Sequence, residues 1–502
     1  MNRILKYCLF PALIISVITF QGYYAVSAAD QDMFEIYSLE VEGDIYDFLS
    51  ADFDGDGLTD IATVYSPNDD PDARYIGLYL QKGTSGFRAV ADYLVPLPTS
   101  AVQVDVADIN KDGRAEIYVI DADGVRRMTF TPDLGLSTAE PFINHKTIFS
   151  IPLFSGIIDE PFIFNINSKT GPQFVIPNAS GYAVFEQGDK GRYVILNNIS
   201  APIRGVNIHR SIQRFRGGRN SQFGVSLAQI YVGDGNGDGL NDLYLLWNNK
   251  LCYFFQDPSG NFAQNPDVDI DFYPINNPGY LESALIDCNG DDRLDAVVSN
   301  TSGGITNTET RIRVYLADAG GRISDQASKE ITLSDSHCNL IIGDFNHDGR
   351  ADMAVPAVEL GALAATKMFL MKKADLHLLI YPFENGLPNN EPARRMQHEF
   401  RFDFDNPQPT VEVFVEWTAD YNGDNLNDLV FSDGKGKLQF FWGNNDDYLS
   451  KKPDLEVSID HPQEIHPIHL NDGTRSDIIV EHNLTGRLDR LTVLKNRDNM
   501  SR

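Results

Sequence analysis

The sequence is poor in cysteine, in basic residues and in long apolar runs, and each shortage excludes a class of protein. Only four cysteines occur in 502 residues, so the fold cannot rest on a disulfide framework. Lys and Arg number 41 against 71 Asp and Glu, giving a formal net charge of −30. Nucleic acid is therefore not an expected partner, because phosphate binding needs a basic surface. Gly-x-Ser-x-Gly and His-Glu-x-x-His are both absent, so no common hydrolase signature indicates an enzyme.

The one long apolar run lies near the start of the sequence. Two basic residues precede an apolar stretch over residues 8–20, and the residues around Ala28 are small. This pattern is typical of a secretory signal peptide. We therefore expect residues 1–29 to be a signal peptide and residues 30–502 to form one exported domain, secreted, periplasmic or on the cell surface. An uncleaved anchor is the alternative. No later run is long enough to span a membrane.

A short acidic loop recurs through the rest of the chain. Its first copy, from Asp52 to Asp60, reads Asp-Phe-Asp-Gly-Asp-Gly-Leu-Thr-Asp. Side-chain oxygens stand at positions 1, 3, 5 and 9, and glycine at position 6 permits the positive φ of a sharp turn. Calcium takes six to eight oxygen ligands, and the backbone carbonyl at position 7 would supply another. The spacing predicts six structural calcium sites, with the candidate ligands Asp52, Asp54, Asp56, Leu58 and Asp60; Asp108, Asn110, Asp112, Arg114 and Glu116; Asp234, Asn236, Asp238, Leu240 and Asp242; Asp287, Asn289, Asp291, Arg293 and Asp295; Asp344, Asn346, Asp348, Arg350 and Asp352; and Asp420, Asn422, Asp424, Leu426 and Asp428.

Some copies of the loop depart from this pattern. Asp292 and Asn425 replace glycine at position 6, and Asp and Asn are the other residues that best tolerate a left-handed backbone. Two copies are decayed, at 165–173 and 469–477, and the first carries Lys169 at ligand position 5. We expect no calcium in either. The count is then eight repeats, six of them able to bind metal.

Each repeat is expected to contain four strands. In the second repeat, apolar and polar residues alternate over 102–106, before the loop, with the period of a strand. The further strands are predicted over 117–120, 125–130 and 147–153, so that the loop joins strands 1 and 2. Four-stranded repeats of this size are typical of a β-propeller.

The two ends of the domain indicate how the propeller closes. The last repeat lacks an outer strand, and an unassigned strand at 34–41 would supply it. Such pairing removes an exposed sheet edge. We therefore predict an all-β, eight-bladed propeller closed by its N- and C-terminal strands. A seven-bladed ring is the alternative, if the copy at 165–173 is an insertion.

The acidic loop followed by an apolar strand resembles the FG-GAP/VCBS repeats of integrin α-subunit propellers and of many secreted bacterial proteins. The resemblance implies a propeller with structural calcium at the six ligand sets above, and it implies nothing catalytic. No Arg-Gly-Asp sequence accompanies the repeats, so an integrin role is not implied.

A partner is expected on the face opposite the calcium loops. Propeller topology places the connections between strands 1 and 2 on one face, and those between strands 2 and 3 and between blades on the other. The long insertions, about 199–224 and 356–375, map to this second face, where loops usually carry binding. The second insertion is predicted to be a helix or a hairpin. The first is basic, and arginine forks recognise acidic groups; its candidate ligand-binding residues are Arg204, His209, Arg210, Arg214, Arg216 and Arg219. A patch that neutralises acidic groups of the same chain is the other interpretation.

The sequence therefore favours a binding or adhesion module for a glycan or a protein partner over an enzyme. Two alternatives stay open. One is a polysaccharide-active enzyme, similar in architecture to eight-bladed rhamnogalacturonan lyases, which is a weak warrant for function. The other is a structural or assembly factor of the cell envelope. His461, His466 and His469 also cluster in sequence; a turn is one interpretation of their proline-rich setting, and a transition-metal site is the other.

Overall fold

The structure is a computed structural model. It describes residues 33–497 apart from 71, 132, 134, 150–156, 168–170, 203, 206–224, 248, 274–278, 305, 402–414, 433–435, 461, 472 and 484–487. The predicted signal peptide lies outside the described residues.

The described chain forms eight antiparallel blades, arranged as a propeller. The strands of blades 1 to 4, from the axis outward, are Gly43–Ala51, Asp60–Pro67, Arg74–Tyr79 and Tyr93–Leu97; Gln103–Ala107, Glu116–Asp121, Gly124–Met128 and Glu140–Asn144; Ile163–Phe164, Gln173–Asn178, Gly181–Gln187 and Tyr193–Ser200; and Gln229–Gly233, Asp242–Trp247, Lys250–Phe254 and Val268–Asp271.

Blades 5 to 8 follow the same order, and the inner strand of blade 6 is in two pieces. Their strands are Tyr280–Ile286, Asp295–Ser302, Glu309–Tyr315 and Lys329–Ser334; Ser336–Cys338 with Ile341–Gly343, Asp352–Glu359, Lys373–Glu384 and Arg394–Arg401; Val415–Ala419, Asp428–Ser432, Lys437–Phe441 and Leu455–Ser458; and Pro462–Ile468, Asp477–Asn483, Leu488–Asn496 and Phe34–Glu40.

Short elements decorate the blades. The α-helix Ala362–Met371 connects strands 2 and 3 of blade 6, so the helical interpretation of that insertion is confirmed. No helix in the described part of the chain is long and apolar enough to cross a membrane. Two-residue strands pair as Phe130–Thr131 with Gly135–Leu136, Arg204–Gly205 with Val225–Ser226, Gly443–Asn444 with Tyr448–Leu449, and Leu387–Pro388 with the end of Lys373–Glu384.

The core lies between the blades. Strand 2 of a blade is typically buried along its whole length, as in Glu116–Asp121 and Asp242–Trp247, because neighbouring blades cover both of its faces. Trp417 of blade 7 stacks on Phe345 of blade 6, with ring centroids 4.0 Å apart and an angle of 11°. None of the three cysteines in the described part forms a disulfide, so packing between blades supplies the cohesion.

The N-terminal strand closes the ring. Phe34–Glu40 pairs antiparallel with the C-terminal strand, from Phe34 opposite Asn496 to Glu40 opposite Arg490. The predicted closure and the count of eight blades are confirmed, and the seven-bladed alternative is wrong. The copy at 165–173 is the turn of a complete blade.

One predicted strand is wrong. The outer strand of blade 2 is Glu140–Asn144; of the predicted strand 147–153, residues 147–149 are described and form no strand, and the others lie outside the described residues. Thr147 donates its hydroxyl to the carbonyl of Asp121 at 2.8 Å, a bond that is not part of the sheet. Phe149 then enters the core between blades 2 and 3, so its apolar character reflects burial without pairing.

The closing strand offers a matched pair of substitutions. Leu39 is fully buried and Ile36, on the same strand, is 37% exposed. Leu39→Ala is expected to lower the free energy of unfolding by about 2–5 kcal/mol because it leaves a cavity at the joint. Ile36→Ala should cost less than about 1 kcal/mol. Urea unfolding measures both, and equal losses would contradict closure by this strand.

Candidate metal centres and surface pockets

The acidic loops connect strands 1 and 2 and are curled by their own side chains. In the first loop, Gly55 and Gly57 donate their N–H groups to the Asp52 carboxylate at 2.7 and 2.8 Å. Leu58 donates its N–H to Asp56 at 2.9 Å. The bonds from position 6 to position 1 and from position 7 to position 5 recur in all six predicted calcium loops. Each loop is therefore shaped by the same residues that were predicted to bind metal.

Position 6 adopts a left-handed backbone whether or not it is glycine. Asp292 has φ 62° and Asn425 has φ 67°, against 85° for Gly57, so the tolerance expected of Asp and Asn is confirmed. Position 4 is also left-handed, even at Lys111 (φ 60°) and His347 (φ 53°). That second requirement was not predicted, because Lys is not a typical residue for this conformation.

The donor set of these loops suits calcium. One carboxylate oxygen each from Asp52, Asp54 and Asp60 lie within 4.8 Å of one another. Clustered oxygens of this kind are the ligands that calcium takes, and without a cation the carboxylates repel one another. The residues present therefore fit the predicted ion, and the ion and the position 7 carbonyls stay predictions.

Position 9 has a structural role that the sequence reasoning missed. In every blade its side-chain oxygen accepts the N–H of position 2, at distances from 2.8 to 3.1 Å. In five blades the other oxygen accepts an N–H near the end of strand 3 or its equivalent in blade 8. The residues are Asp60, Glu116, Gln173, Asp242, Asp295, Asp352, Asp428 and Asp477.

Burial also sets the charge of these position 9 groups. Desolvation raises the pKa of Asp60, Asp352 and Asp428 to about 7 and that of Asp242 and Asp295 to about 6, although backbone hydrogen bonds act in the opposite direction. A carboxylate with a raised pKa carries an electrostatic cost in the folded state, and a nearby cation offsets it.

The two decayed loops keep position 9 without the full ligand set. Gln173 accepts the N–H of Ile166 at 2.8 Å and donates its amide to the carbonyl of Gly171 at 2.5 Å. In blade 8, burial raises the pKa of Asp477, and the backbone N–H groups of Asn496 and Leu470 and then the charge of the buried Lys495 act in the opposite direction. A neutral amide or a protein cation can thus hold the turn, and the absence of calcium here stays a prediction.

Neighbouring loops are joined to one another. Ala115 of loop 2 donates its N–H to the carbonyl of Asp52 in loop 1 at 2.8 Å, and Thr59 of loop 1 donates to Leu470 of loop 8 at 3.2 Å. The Arg114 side chain adds a 3.0 Å bond to loop 1. The loops therefore brace one face of the ring across the closure.

The inner strands bring acidic residues from different blades to the central channel. Burial raises the pKa of Asp47 well above its usual range, and the nearby charge of Asp159 raises it further. A backbone hydrogen bond acts in the opposite direction, and the charges of Glu481 and Asp105 make smaller contributions that again raise the pKa. Burial likewise raises the pKa of Glu416. The channel is thus a second region where carboxyl groups gather, distinct from the loops, and burial favours the neutral forms of Asp47 and Glu416.

Two cavities lie on the face opposite the loops. One, of about 460 Å³, adjoins the turn between strands 2 and 3 of blade 5 and is lined by Tyr280, His337, Gly303 and Thr308 among others. The other, of about 470 Å³, adjoins the corresponding turn of blade 2 and includes His145. Neither was predicted, because an isolated Tyr or His at a strand end has no sequence pattern.

Most of the predicted basic ligand site lies outside the described residues. Arg204 begins the short strand Arg204–Gly205. The other five candidates lie outside the described residues: His209, Arg210, Arg214, Arg216 and Arg219.

Comparisons with known proteins support the fold. Residues 52–119 and 287–355 match the FG-GAP-like repeat family, and each match runs from one loop to strand 2 of the next blade. The predicted resemblance is confirmed: the chain is an eight-bladed β-propeller that carries FG-GAP-like repeats. A comparison with curated protein sequences finds no match.

A search of solved structures finds chains with a similar course, three of which follow. An Agrocybe aegerita lectin that recognises non-reducing terminal N-acetylglucosamine is 15% identical, with 74% of this chain and 91% of that chain covered and a TM-score of 0.41. The V. cholerae biofilm matrix protein Bap1 is 11% identical, with 94% and 90% covered and a TM-score of 0.39. A putative 6-phosphogluconolactonase of Bacteroides fragilis is 13% identical, with 84% and 96% covered and a TM-score of 0.35. Similarity at this level carries no inference about function.

A substitution of Asp112, at position 5 of the second loop, tests calcium binding separately from the shape of the loop. Asp112→Asn keeps the oxygen that accepts the N–H of Arg114 at 3.0 Å but removes one charge. We expect the melting temperature in calcium to fall. The melting temperature in chelator should stay level or rise, because the empty loop then contains one carboxylate fewer to repel the others. Metal analysis should show one calcium fewer than in the unaltered protein.

The control for this prediction is Asp318→Asn. Asp318 shapes an acidic turn in the same way, accepting the N–H groups of Gly320 and Arg322 at 2.8 and 3.0 Å, but lies outside the predicted metal loops. Its substitution should leave the calcium content and the effect of chelator unchanged. Unaltered calcium content in Asp112→Asn, or a protein whose melting is insensitive to chelator, would contradict the metal assignment.

Proposed function

We propose that the protein is an exported, calcium-stabilised propeller that binds a neutral glycan at the cavity between blades 5 and 6. The observation that carries the proposal is the cavity lined by Tyr280 and His337, on the face opposite the acidic loops. Its volume of about 460 Å³ falls within the range of small-molecule sites. Export rests on the signal-like N-terminus, and the structural calcium rests on the six loops.

The lining of this cavity combines a ring surface with polar groups. Tyr280 is 44% exposed although it is a large apolar residue, and its ring lies 5.2 Å from that of His337. Its hydroxyl donates to Glu282 at 3.0 Å, which fixes the ring. Sugars present an apolar face and several hydroxyls, so they suit a held aromatic ring beside polar neighbours.

The turn of blade 5 supplies the polar neighbours. Gly304 donates its N–H to Asn307 at 3.0 Å, and the Thr308 hydroxyl donates to the carbonyl of Gly304 at 2.7 Å. These bonds order the rim of the cavity. Gly303 and Gly304 both line it, which leaves backbone groups open to a ligand because no side chain covers them.

Charge favours a neutral ligand. The residues that line the cavity include no Lys, Arg, Asp or Glu, and burial lowers the pKa of His337 below its ordinary value. His337 is therefore neutral at physiological pH. An acidic sugar would have no cation to pair with inside this cavity.

Binding to a panel of immobilised neutral polysaccharides tests the proposal. The protein without residues 1–29 should be retained in calcium, and Tyr280→Ala should weaken retention at least about tenfold, because the stacking surface is lost. Tyr280→Phe keeps the ring and should retain most of the affinity. Leu94→Ala, an exposed apolar residue on the outer strand of blade 1, is the control and should bind normally.

Each other outcome has a definite meaning. Retention that is indifferent to Tyr280→Ala would place the ligand elsewhere. Absence of retention on every neutral glycan would overturn the proposal and turn attention to a protein partner. Shortening of the polymer during incubation would make the protein an enzyme instead of a binding module.

A further inference from the structure

Blade 8 brings a mixed set of metal-binding side chains to the central channel. Glu464 and His466 are two positions apart on its inner strand, and their side chains therefore share one face of the sheet. The strand register places Glu481 opposite Glu464, so all three side chains project from that face. One carboxylate oxygen from each Glu and a nitrogen of the imidazole lie within 4.8 Å of one another.

The distance between His466 and Glu481 suits a small tetrahedral ion. His466 Nε2 lies 3.3 Å from Glu481 Oε1. Two ligands on a tetrahedral zinc, with bonds of about 2.0–2.1 Å, are separated by about 3.3–3.4 Å. His466 Nε2 is a buried atom without a hydrogen bond of acceptable geometry, and the close polar atom that faces it is the proposed ligand Glu481 Oε1.

The imidazole is held in place from the neighbouring blade. The ring of Phe48, on the inner strand of blade 1, packs against the edge of the His466 ring with centroids 5.0 Å apart and an angle of 71°. A metal site needs its ligands oriented before the ion arrives. The aromatic contact supplies that orientation without occupying the nitrogen that faces Glu481.

A simple ion pair does not account for the charge around His466. Glu481 alone would satisfy a protonated imidazole, yet Glu464 and Asp159 also act on it, and Glu416 of blade 7 interacts with it as well. Even a protonated His466 leaves this group with net negative charge. A divalent cation reduces that charge further, and it does so at the point where the three ligands meet.

We propose that Glu464, His466 and Glu481 form a binding site for a divalent transition-metal ion of the zinc class, in the central channel and separate from the acidic loops. The imidazole distinguishes this site from the loops, because imidazole suits zinc and related ions whereas all-oxygen sets suit calcium. Three protein ligands leave a fourth position for water or a ligand in the channel.

Zinc titration of tag-free residues 30–502 in saturating calcium tests the site. Calorimetry and metal analysis should show one zinc per chain in addition to calcium. Glu481→Gln and His466→Gln should each weaken zinc binding at least about tenfold while leaving the calcium content unchanged. Asp318→Asn, at an acidic turn outside both kinds of proposed metal site, and Asp112→Asn, in a calcium loop, should change zinc affinity by less than about threefold.

A second measurement does not depend on variants that fold. Cobalt(II) in the unaltered, calcium-saturated protein should give visible absorption bands of a tetrahedral ion, and zinc should abolish them. Absence of these bands at millimolar cobalt would overturn the proposal. So would zinc binding that survives both ligand substitutions, or zinc that binds only by displacing calcium.

Discussion

The hydrogen bond that the N–H at position 2 donates to the side-chain oxygen at position 9 is the interaction on which every blade depends. It closes the turn between strands 1 and 2 in all eight blades, and in five blades the second oxygen reaches beyond strand 2. Loss of such a buried acceptor leaves an unpaired N–H, at a cost of about 1–3 kcal/mol. Gln173 makes the bond without charge, so the hydrogen bond at this position does not depend on metal ligation, which stays a prediction.

The hydrogen bonds of the loops explain why the two faces of the ring differ. On one face the loops are tied to their neighbours, as Ala115 is tied to Asp52 and Thr59 to Leu470, so changes there disturb adjacent blades. On the other face the turns of blades 5 and 6 are linked through Asp335, which lies between the blades; it donates its N–H to the carbonyl of Thr308 and accepts the N–H of Leu360. That face carries the helix Ala362–Met371 and both cavities, which is where a ring of fixed geometry can vary its surface.

Local sequence patterns were enough to predict most of the fold. The recurring loop predicted the blade count, the unassigned strand at 34–41 predicted the closure, and the tolerance of Asp292 for a left-handed backbone was expected from its side chain. Non-local facts were not accessible. Ile148 and Phe149 are apolar because they pack into the core between blades, and no periodicity separates that from pairing. Tyr280 and His337 meet only because blades 5 and 6 are adjacent.

The same limit applies to the channel, and it decides how the negative charge of the chain is distributed. Glu464 and Glu481 are brought together by strand register, and the ring adds Asp47 and Glu416 from the blades on either side. These carboxyl groups come from three blades, so the side chains of one blade cannot neutralise all of them. A cation held by blade 8 would act on all of them, because charges interact strongly over short distances in a partly buried space. On the two metal proposals, the acidic residues serve two donor chemistries, one of oxygen alone in the loops and one that includes His466 near the axis.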